Sequence, residues 1–372
     1  MRTAALGVAL ACVAACSGRY PRADGGVRVL AATAGLPEFP RRCLVANHVH
    51  TLVSDRYSHA PGASNAEYAY SERGLGEAIA GFDSDGVDAI VVTDHNAIDA
   101  VFDPQVQAAA MTVIGGMEWT TRSGHALLIG FEASRAADAI LPPPWRTRPT
   151  DADFHAMVSR THARGGLVII AHPRVPFRTW PDQVFSADGV EVWGLDRFFM
   201  RNRGARRWWH DRLVGGERLI AVAGTDLHPG TRIRGLHHPL NWVYAEGCER
   251  DEVLAAMRAG HLVLVRDGEA PTVVLGVEAG GARDFAEAQS GDTVVLGERR
   301  SVEVQLRVLA GAGTRLRVLG RLGQLLERRI DSEDQSVRLQ LRVGAGDFVR
   351  AELYAGRRGR KLLALTNPLY FR

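Results

Sequence analysis

Short, continuously apolar runs that close on a histidine or a carboxylate recur along this chain, and no other feature limits its possible folds so tightly. The first ends in Asn47-His48-Val49-His50-Thr51-Leu52-Val53-Ser54-Asp55. A second, residues 87–92, ends in Thr93-Asp94-His95-Asn96. Residues 112–114 lead through Gly115-Gly116-Met117 to Glu118, and His125 introduces a strand at 126–131. Residues 167–171 run into His172-Pro173, residues 189–193 form another short strand, and 219–223 end in Gly224-Thr225-Asp226-Leu227-His228. Runs of this kind read as strands buried on both faces. Stretches with helical spacing lie between them at 71–82, 151–164 and 196–214, and a strand near 241–245 and a helix at 249–259 follow. Alternating buried strands and helices predict a parallel sheet, and so many of them, with polar residues gathered after the strands, favour a closed barrel over an open sheet.

Side chains at i and i+2 of a strand share a face, so His48 and His50 are expected to project together as half of a site for a borderline metal ion. The collected residues are His48, His50, Asp55, His95, Glu118, His125, His172, Asp226 and His228. In a parallel barrel those strand ends share one rim. Any single histidine is most simply a core or loop residue, His59 in the loop 56–70 among them. Nine ligand-type residues on one rim, with six of the 13 histidines, point instead to a metal site. Imidazole and carboxylate donors without cysteine suit Zn²⁺, Mn²⁺ or Fe²⁺.

The remainder of the 372 residues bounds the setting. Hydrophobic content of 46% and charged content of 23% are those of a globular protein, and a net charge of +3 gives no reason to expect nucleic acid as a partner. Residues 3–15 are apolar but too short to span a bilayer as a mature helix. They end in Val13-Ala14-Ala15-Cys16, which resembles a bacterial lipobox. The expectation is a lipoprotein-type signal peptide at 1–16, with an ordinary secretory signal as the alternative. A flexible tether at 17–40 follows. The mature protein is then exported and touches the membrane only through its N-terminal lipid anchor. Cys43 and Cys248, far apart in sequence, are expected as two buried free thiols. From about residue 270 the pattern becomes period-two alternation at 272–275, 301–308, 315–319, 337–343 and 349–354, the mark of a small antiparallel sandwich. The expected domains are therefore a barrel at 41–268 and a β-sandwich at 269–372.

The four histidine- and aspartate-bearing stretches, with Glu118 and His125 between the second and third, resemble the PHP (polymerase and histidinol phosphatase) family of metal-dependent phosphoesterases. Arg56 stands where that family usually has glycine. The resemblance covers roughly residues 41–268. More weakly, the sandwich with Thr366-Asn367-Pro368 is similar to that of secreted, carbaryl-hydrolase-like relatives. It implies an α/β fold, a distorted (β/α)7 barrel with a C-terminal antiparallel β-sandwich, and two to three divalent ions. One ion would sit on His48, His50, Glu118 and Asp226, a second on Glu118, His125 and His172, and a third on Asp55, His95 and His228. The implied reaction is hydrolysis of a small phosphorylated substrate by a hydroxide held between metals, with His95 or His228 protonating the leaving group. Rim arginines Arg56, Arg122, Arg174 and Arg232 have the geometry to grip a phosphate bidentately. Two other readings stand beside this one. The same centre could cleave a carboxylic ester or carbamate, with Trp145, Trp193, Trp208 and Trp209 lining an apolar pocket unless they serve core or surface packing, or the protein could be a non-catalytic metal-binding surface lipoprotein. Amidohydrolase barrels also open with His-x-His but commonly bridge their metals with a modified lysine. Lys361, outside the barrel, is the one lysine in the chain, so Glu118 is the expected bridge.

Overall fold

The computed structural model describes residues 20, 27–30, 41–51, 74–102, 104–121, 123–130, 148–173, 186–194, 199–227, 239–277, 288–356 and 361–372. The chain divides into two compact units, one of Phe39–Ala205 with Glu217–Ala270, the other of Met1–Glu38, Arg206–Gly216 and Pro271–Arg372. In chain order the first strands are β1 (Val27–Leu30), β2 (Arg42–Val49), β3 (Ala89–Val92), β4 (Thr112–Thr121), β5 (Gly124–Ile129), β6 (Leu167–Ala171), β7 (Gly189–Trp193), β8 (Ile220–Ala223), β9 (Leu240–Tyr244) and β10 (Leu262–Val265). The helices are α1 (Gly74–Ser84), α2 (Pro104–Gln107), α3 (Asp151–His162), α4 (Phe199–Val214) and α5 (Arg250–Ala259).

In the first unit the strands run β10-β9-β2-β3-β4-β5-β6-β7-β8. Strands β2, β3 and β4 are parallel, as are β6, β7 and β8. Strand β5 is antiparallel to both β4 and β6, and β9 is antiparallel to β2 and β10. Where a distorted (β/α)7 barrel built on a parallel sheet was expected, the described residues form a mixed, curled sheet with few helices. The cause is local: residues 122 and 123 alone separate β4 from β5, whereas a parallel crossover needs a dozen or more residues. Only a hairpin fits. Past β8 the chain pairs with the end of β2, where Thr225 N–H donates to the Asn47 carbonyl (2.8 Å) and His50 N–H to the Leu227 carbonyl (2.9 Å). The sheet therefore curls back on itself at the rim that carries the histidines.

Burial drives this arrangement. Every residue of β3, β6 and β7 is buried, and each Val, Leu or Ile removed from water contributes about 1.5–3 kcal/mol. Helix α3 starts at a capping box in which Thr150 and Asp153 satisfy each other's free N–H groups, and it buries Phe154, Met157, Val158 and Thr161. Helix α5 stops at Gly260, whose φ of 76° suits glycine.

The second unit adds β11 (Thr272–Val277), β12 (Ala288–Gln289), β13 (Thr293–Val294), β14 (Ser301–Leu309), β15 (Arg315–Gly320), β16 (Gly323–Arg329), β17 (Asp334–Arg342), β18 (Phe348–Ala355), β19 (Lys361–Thr366) and β20 (Leu369–Phe371). One antiparallel sheet runs β1-β17-β14-β11-β12. In the other, β15 pairs with β16 and β18, while β18 also pairs with β19 and β20. In β17, Val337, Leu339 and Leu341 turn inward while Arg338 and Gln340 turn out, the period of a half-buried strand. A polar cluster is sealed into this unit. Arg350, fully buried, donates to Glu352 (2.8 Å), to the Tyr20 hydroxyl (3.0 Å) and to His210 Nδ1 (3.3 Å), and its guanidinium lies 4.8 Å from the Trp209 ring.

Two expectations are corrected here. Part of the supposed tether is strand β1, with Val27 opposite Leu341 and Leu30 opposite Arg338; its β-branched, alternating residues complete a sheet edge. Cys43 and Cys248 form a disulfide, with Cα atoms 5.6 Å apart. Pairing of β2 with β9 sets Cys43 opposite Val243, which returns the chain to within reach a few residues later. Trp209 packs against Arg350, Trp208 against Arg212, and Trp193 is buried in β7, so none of the three opens a substrate pocket. Trp145, His59 and the signal sequence 1–16 lie outside the described residues.

Candidate metal centre

The rim of the first unit gathers His48, His50, His95, Glu118, His125, His172 and Asp226 around one carboxylate. Asp55 and His228, and the arginines Arg56, Arg122, Arg174 and Arg232, lie outside the described residues. Each gathered side chain arrives by a local device. Strand β2 slips register against β3 between Ala46 and Val49, and His48 takes a φ of 66°. Thr51 then donates from N–H and Oγ1 to the two oxygens of buried Asp94, both at 2.6 Å. Glu118 N–H bonds the Asp94 carbonyl and Asn96 N–H bonds the Glu118 carbonyl, which sets His95 beside Glu118. Hairpin register puts His125 opposite Thr120, two residues from Glu118, and β5–β6 pairing puts it opposite Ala171, next to His172. Beyond β8, Thr225 Oγ1 donates to the His48 carbonyl (2.7 Å) and holds Asp226 against β2.

Four of the described non-glycine residues with positive φ are here: His48, Asn96, His172 (24°) and Asp226 (47°). Left-handed backbone is costly for residues with a side chain and gathers at functional sites. Exposure sorts the cluster further. His48, His50 and Glu118 have no solvent-accessible side-chain surface, whereas His95, Asp226, His172 and His125 are 14%, 23%, 24% and 29% accessible.

Distances decide what the cluster is suited to. His48 Nε2 lies 3.5 Å from Glu118 Oε1 and 3.7 Å from Asp226 Oδ1, and His50 Nε2 lies 3.5 Å from Glu118 Oε2 and 3.5 Å from Asp226 Oδ1. Those gaps are too long for hydrogen bonds. Donor atoms about 2.0–2.2 Å from a shared tetrahedral ion stand roughly 3.3–3.6 Å apart. His48 Nε2 is moreover buried without a hydrogen-bond partner among the described residues, a costly state for a ring nitrogen unless something else binds there. The residues present fit a divalent ion. The other three imidazoles sit closer to the carboxylate, with His125 Nδ1 2.7 Å and His172 Nε2 2.9 Å from Glu118 Oε1 and His95 Nδ1 2.6 Å from Oε2. An ion shared by Glu118, His125 and His172 would need those rings to step back by roughly 0.5 Å. His95, expected with Asp55 and His228, lies beside Glu118 and His50, its ring 4.5 Å from that of His50, while its two expected partners lie outside the described residues.

Charge follows the same pattern. Burial by itself would raise the Glu118 carboxyl, but His125, His95 and His48 outweigh it and hold it well below the usual carboxylate range. Burial disfavours protonated His48, yet Glu191 and Glu118 pull it well above an ordinary imidazole. At His125 burial outweighs the same carboxylate and holds the imidazole below its usual range.

Glu191 escaped the sequence reading. It sits in the middle of β7, nearly fully buried, and bonds His48 Nδ1 (2.8 Å) and the His172 N–H (2.7 Å). The available signal was a lone glutamate inside a continuous apolar strand, which must find partners or destabilise the fold.

No family model matches the chain, and no curated protein does. Among solved structures it is similar to a two-domain protein from Bacteroides vulgatus ATCC 8482 containing a predicted PHP-like metal-dependent phosphoesterase. The TM-score is 0.47 and the identity 13%, over 91% of this chain and 100% of that one.

Proposed function

We propose that this chain is a metal-dependent hydrolase of phosphate mono- or diesters that uses two to three divalent ions, Zn²⁺, Mn²⁺ or Fe²⁺. The observation that carries the reading is the 3.5–3.7 Å spacing of His48, His50, Glu118 and Asp226 donor atoms. These four would hold one ion; Glu118, His125 and His172 would hold a second, and His95 would serve a third with Asp55 and His228. Bound divalent ions supply Lewis acidity and lower the pKa of a water from about 16 to about 7. The chain's own residues do the rest. Fully buried His48, His50 and Glu118 exclude water from the inner side of the site. The partly exposed residues His95, His125, His172 and Asp226 are those a substrate would meet, and His95 or His228, where not engaged by a metal ion, would give the leaving group its proton. Arg56, Arg122, Arg174 and Arg232 are proposed to hold the phosphate.

We further propose that the protein works outside the cytoplasm, anchored through Cys16. The Cys43–Cys248 disulfide supports an oxidising compartment. Palmitate labelling of the full chain and of Cys16→Ser tests the anchor; equal labelling of both would remove it.

The test of the function is elemental analysis of purified protein combined with turnover of p-nitrophenyl phosphate, bis(p-nitrophenyl) phosphate and p-nitrophenyl acetate under each metal. Release of p-nitrophenol from either phosphate ester that depends on added metal is the expected result. Metal-dependent cleavage of the acetate alone would shift the reading to ester hydrolysis, and metal-loaded protein inert on all three would end it.

A further inference from the structure

We infer that Glu191 is a positioning residue for the proposed metal centre: its carboxylate sets the His48 tautomer and the place of His172 at once. The inference rests on the metal-binding reading given above.

Geometry carries it. One oxygen, Oε1, meets His48 Nδ1 at 2.8 Å, and the other accepts the backbone N–H of His172 at 2.7 Å. An ionised carboxylate only accepts hydrogen bonds, so in the neutral imidazole that a metal ion would bind the His48 proton sits on Nδ1. The lone pair is then on Nε2, the atom that stands 3.5 Å from Glu118, 3.7 Å from Asp226 and without a hydrogen-bond partner among the described residues. A second bond fixes the chain where it leaves β6 at a φ of 24°, the turn that aims His172 Nε2 at Glu118. The neighbouring chain is shaped around this carboxylate. A Cβ on Gly224 would fall 1.9 Å from Glu191 Oε1, so any other residue there would push the carboxylate off its partners. Just past β7, Asn202 pins the chain by bonding both the N–H and the carbonyl of Gly194 (2.9 and 2.8 Å). One side chain thereby locks candidate ligands from two strands. Partners of this kind commonly change metal affinity 10- to 100-fold when altered.

Glu191→Gln is the discriminating change, because the amide has the same shape but one acceptor. The His172 N–H can only donate, so the amide oxygen turns to it and the NH₂ faces His48 Nδ1. That forces the His48 proton to Nε2 and blocks ligation. Calorimetric titration of metal-free protein with Mn²⁺ or Zn²⁺ should show binding about 10- to 100-fold weaker than wild type, with an unchanged circular dichroism spectrum. Long-range ¹H–¹⁵N spectra taken at a pH where His48 is neutral should place its proton on Nδ1 in wild type and on Nε2 in the variant, which a merely structural role would not produce. Gly224→Ala should weaken metal binding in the same direction without changing any donor. Wild-type protein that binds no metal would overturn the proposed function. Wild-type binding with equal affinity in Glu191→Gln, or a wild-type His48 protonated on Nε2, would overturn this inference alone. If Glu191→Gln does not fold, the wild-type spectrum and Gly224→Ala still decide.

Discussion

Glu118 concentrates the chemistry of the site in one side chain. It has no accessible surface, yet its two oxygens face five imidazoles, those of His48, His50, His95, His125 and His172. Removing the carboxylate takes away the group shared by the first two proposed ions. Glu118→Ala should therefore lose most bound metal by elemental analysis and at least about 100-fold in phosphatase rate, a scale set by the size of metal-ion catalysis. Retention of both would discard the bridge. The candidate donors were legible in the sequence because a metal site calls for particular side chains: His48, His50, His95, His125, His172, Glu118 and Asp226 each stand at the end of an apolar run, and the fold gathers them at one rim where they could hold an ion. Glu191 was not, since a residue that acts on ligands rather than on a metal follows no spacing rule. It becomes visible only when β7 is folded beside β2 and β6.

At the scale of elements, β2 is held at both ends. Its first half is tied by Cys43 to Cys248, and its last residues carry His48 and, just beyond, His50. The bridge closes a span of 205 residues, and removing a native disulfide commonly costs about 2–5 kcal/mol. The Cys43→Ser/Cys248→Ser double variant should lower the urea midpoint accordingly, while reductant should shift the wild type and leave the variant unmoved. The strands themselves were readable from their apolar runs; their directions were less so. The two residues between β4 and β5 contained the hairpin, but the eye follows a run of apolar residues more readily than the length of the gap between two of them. The disulfide was hidden for a different reason. It depends on the antiparallel pairing of β9 with β2, and no property of either cysteine announces that register.

For the molecule as a whole, acid is the condition to which the second unit is most exposed. Burial and the nearby Arg350 charge push His210 down to about 3, so it folds as the neutral imidazole. Burial alone would raise Glu352, but Arg350, Arg206 and a hydrogen bond from Tyr354 hold it down to about 2. Both folded values lie below the unfolded ones of 6.5 and 4.5. Each contribution is thus complete above its unfolded value and is lost as pH falls toward the folded one. The thermal midpoint should begin to fall below pH 6.5 through His210 and fall faster below 4.5 through Glu352. His210→Gln, which keeps an acceptor for Arg350, should flatten the upper part of that decline and leave the lower part in place; an unaltered profile would acquit His210.

The left-handed torsions at His48, His172 and Asp226 have a further consequence. Holding the peptide bent this way costs energy that a bound cation would offset. The protein's lifespan would then follow the ionic supply of its surroundings. Dialysis against chelator should lower its melting temperature, and resupply at a hundredfold excess over the dissociation constant should restore about 2.7 kcal/mol per site. In scarcity, such a molecule would become fragile before it became idle.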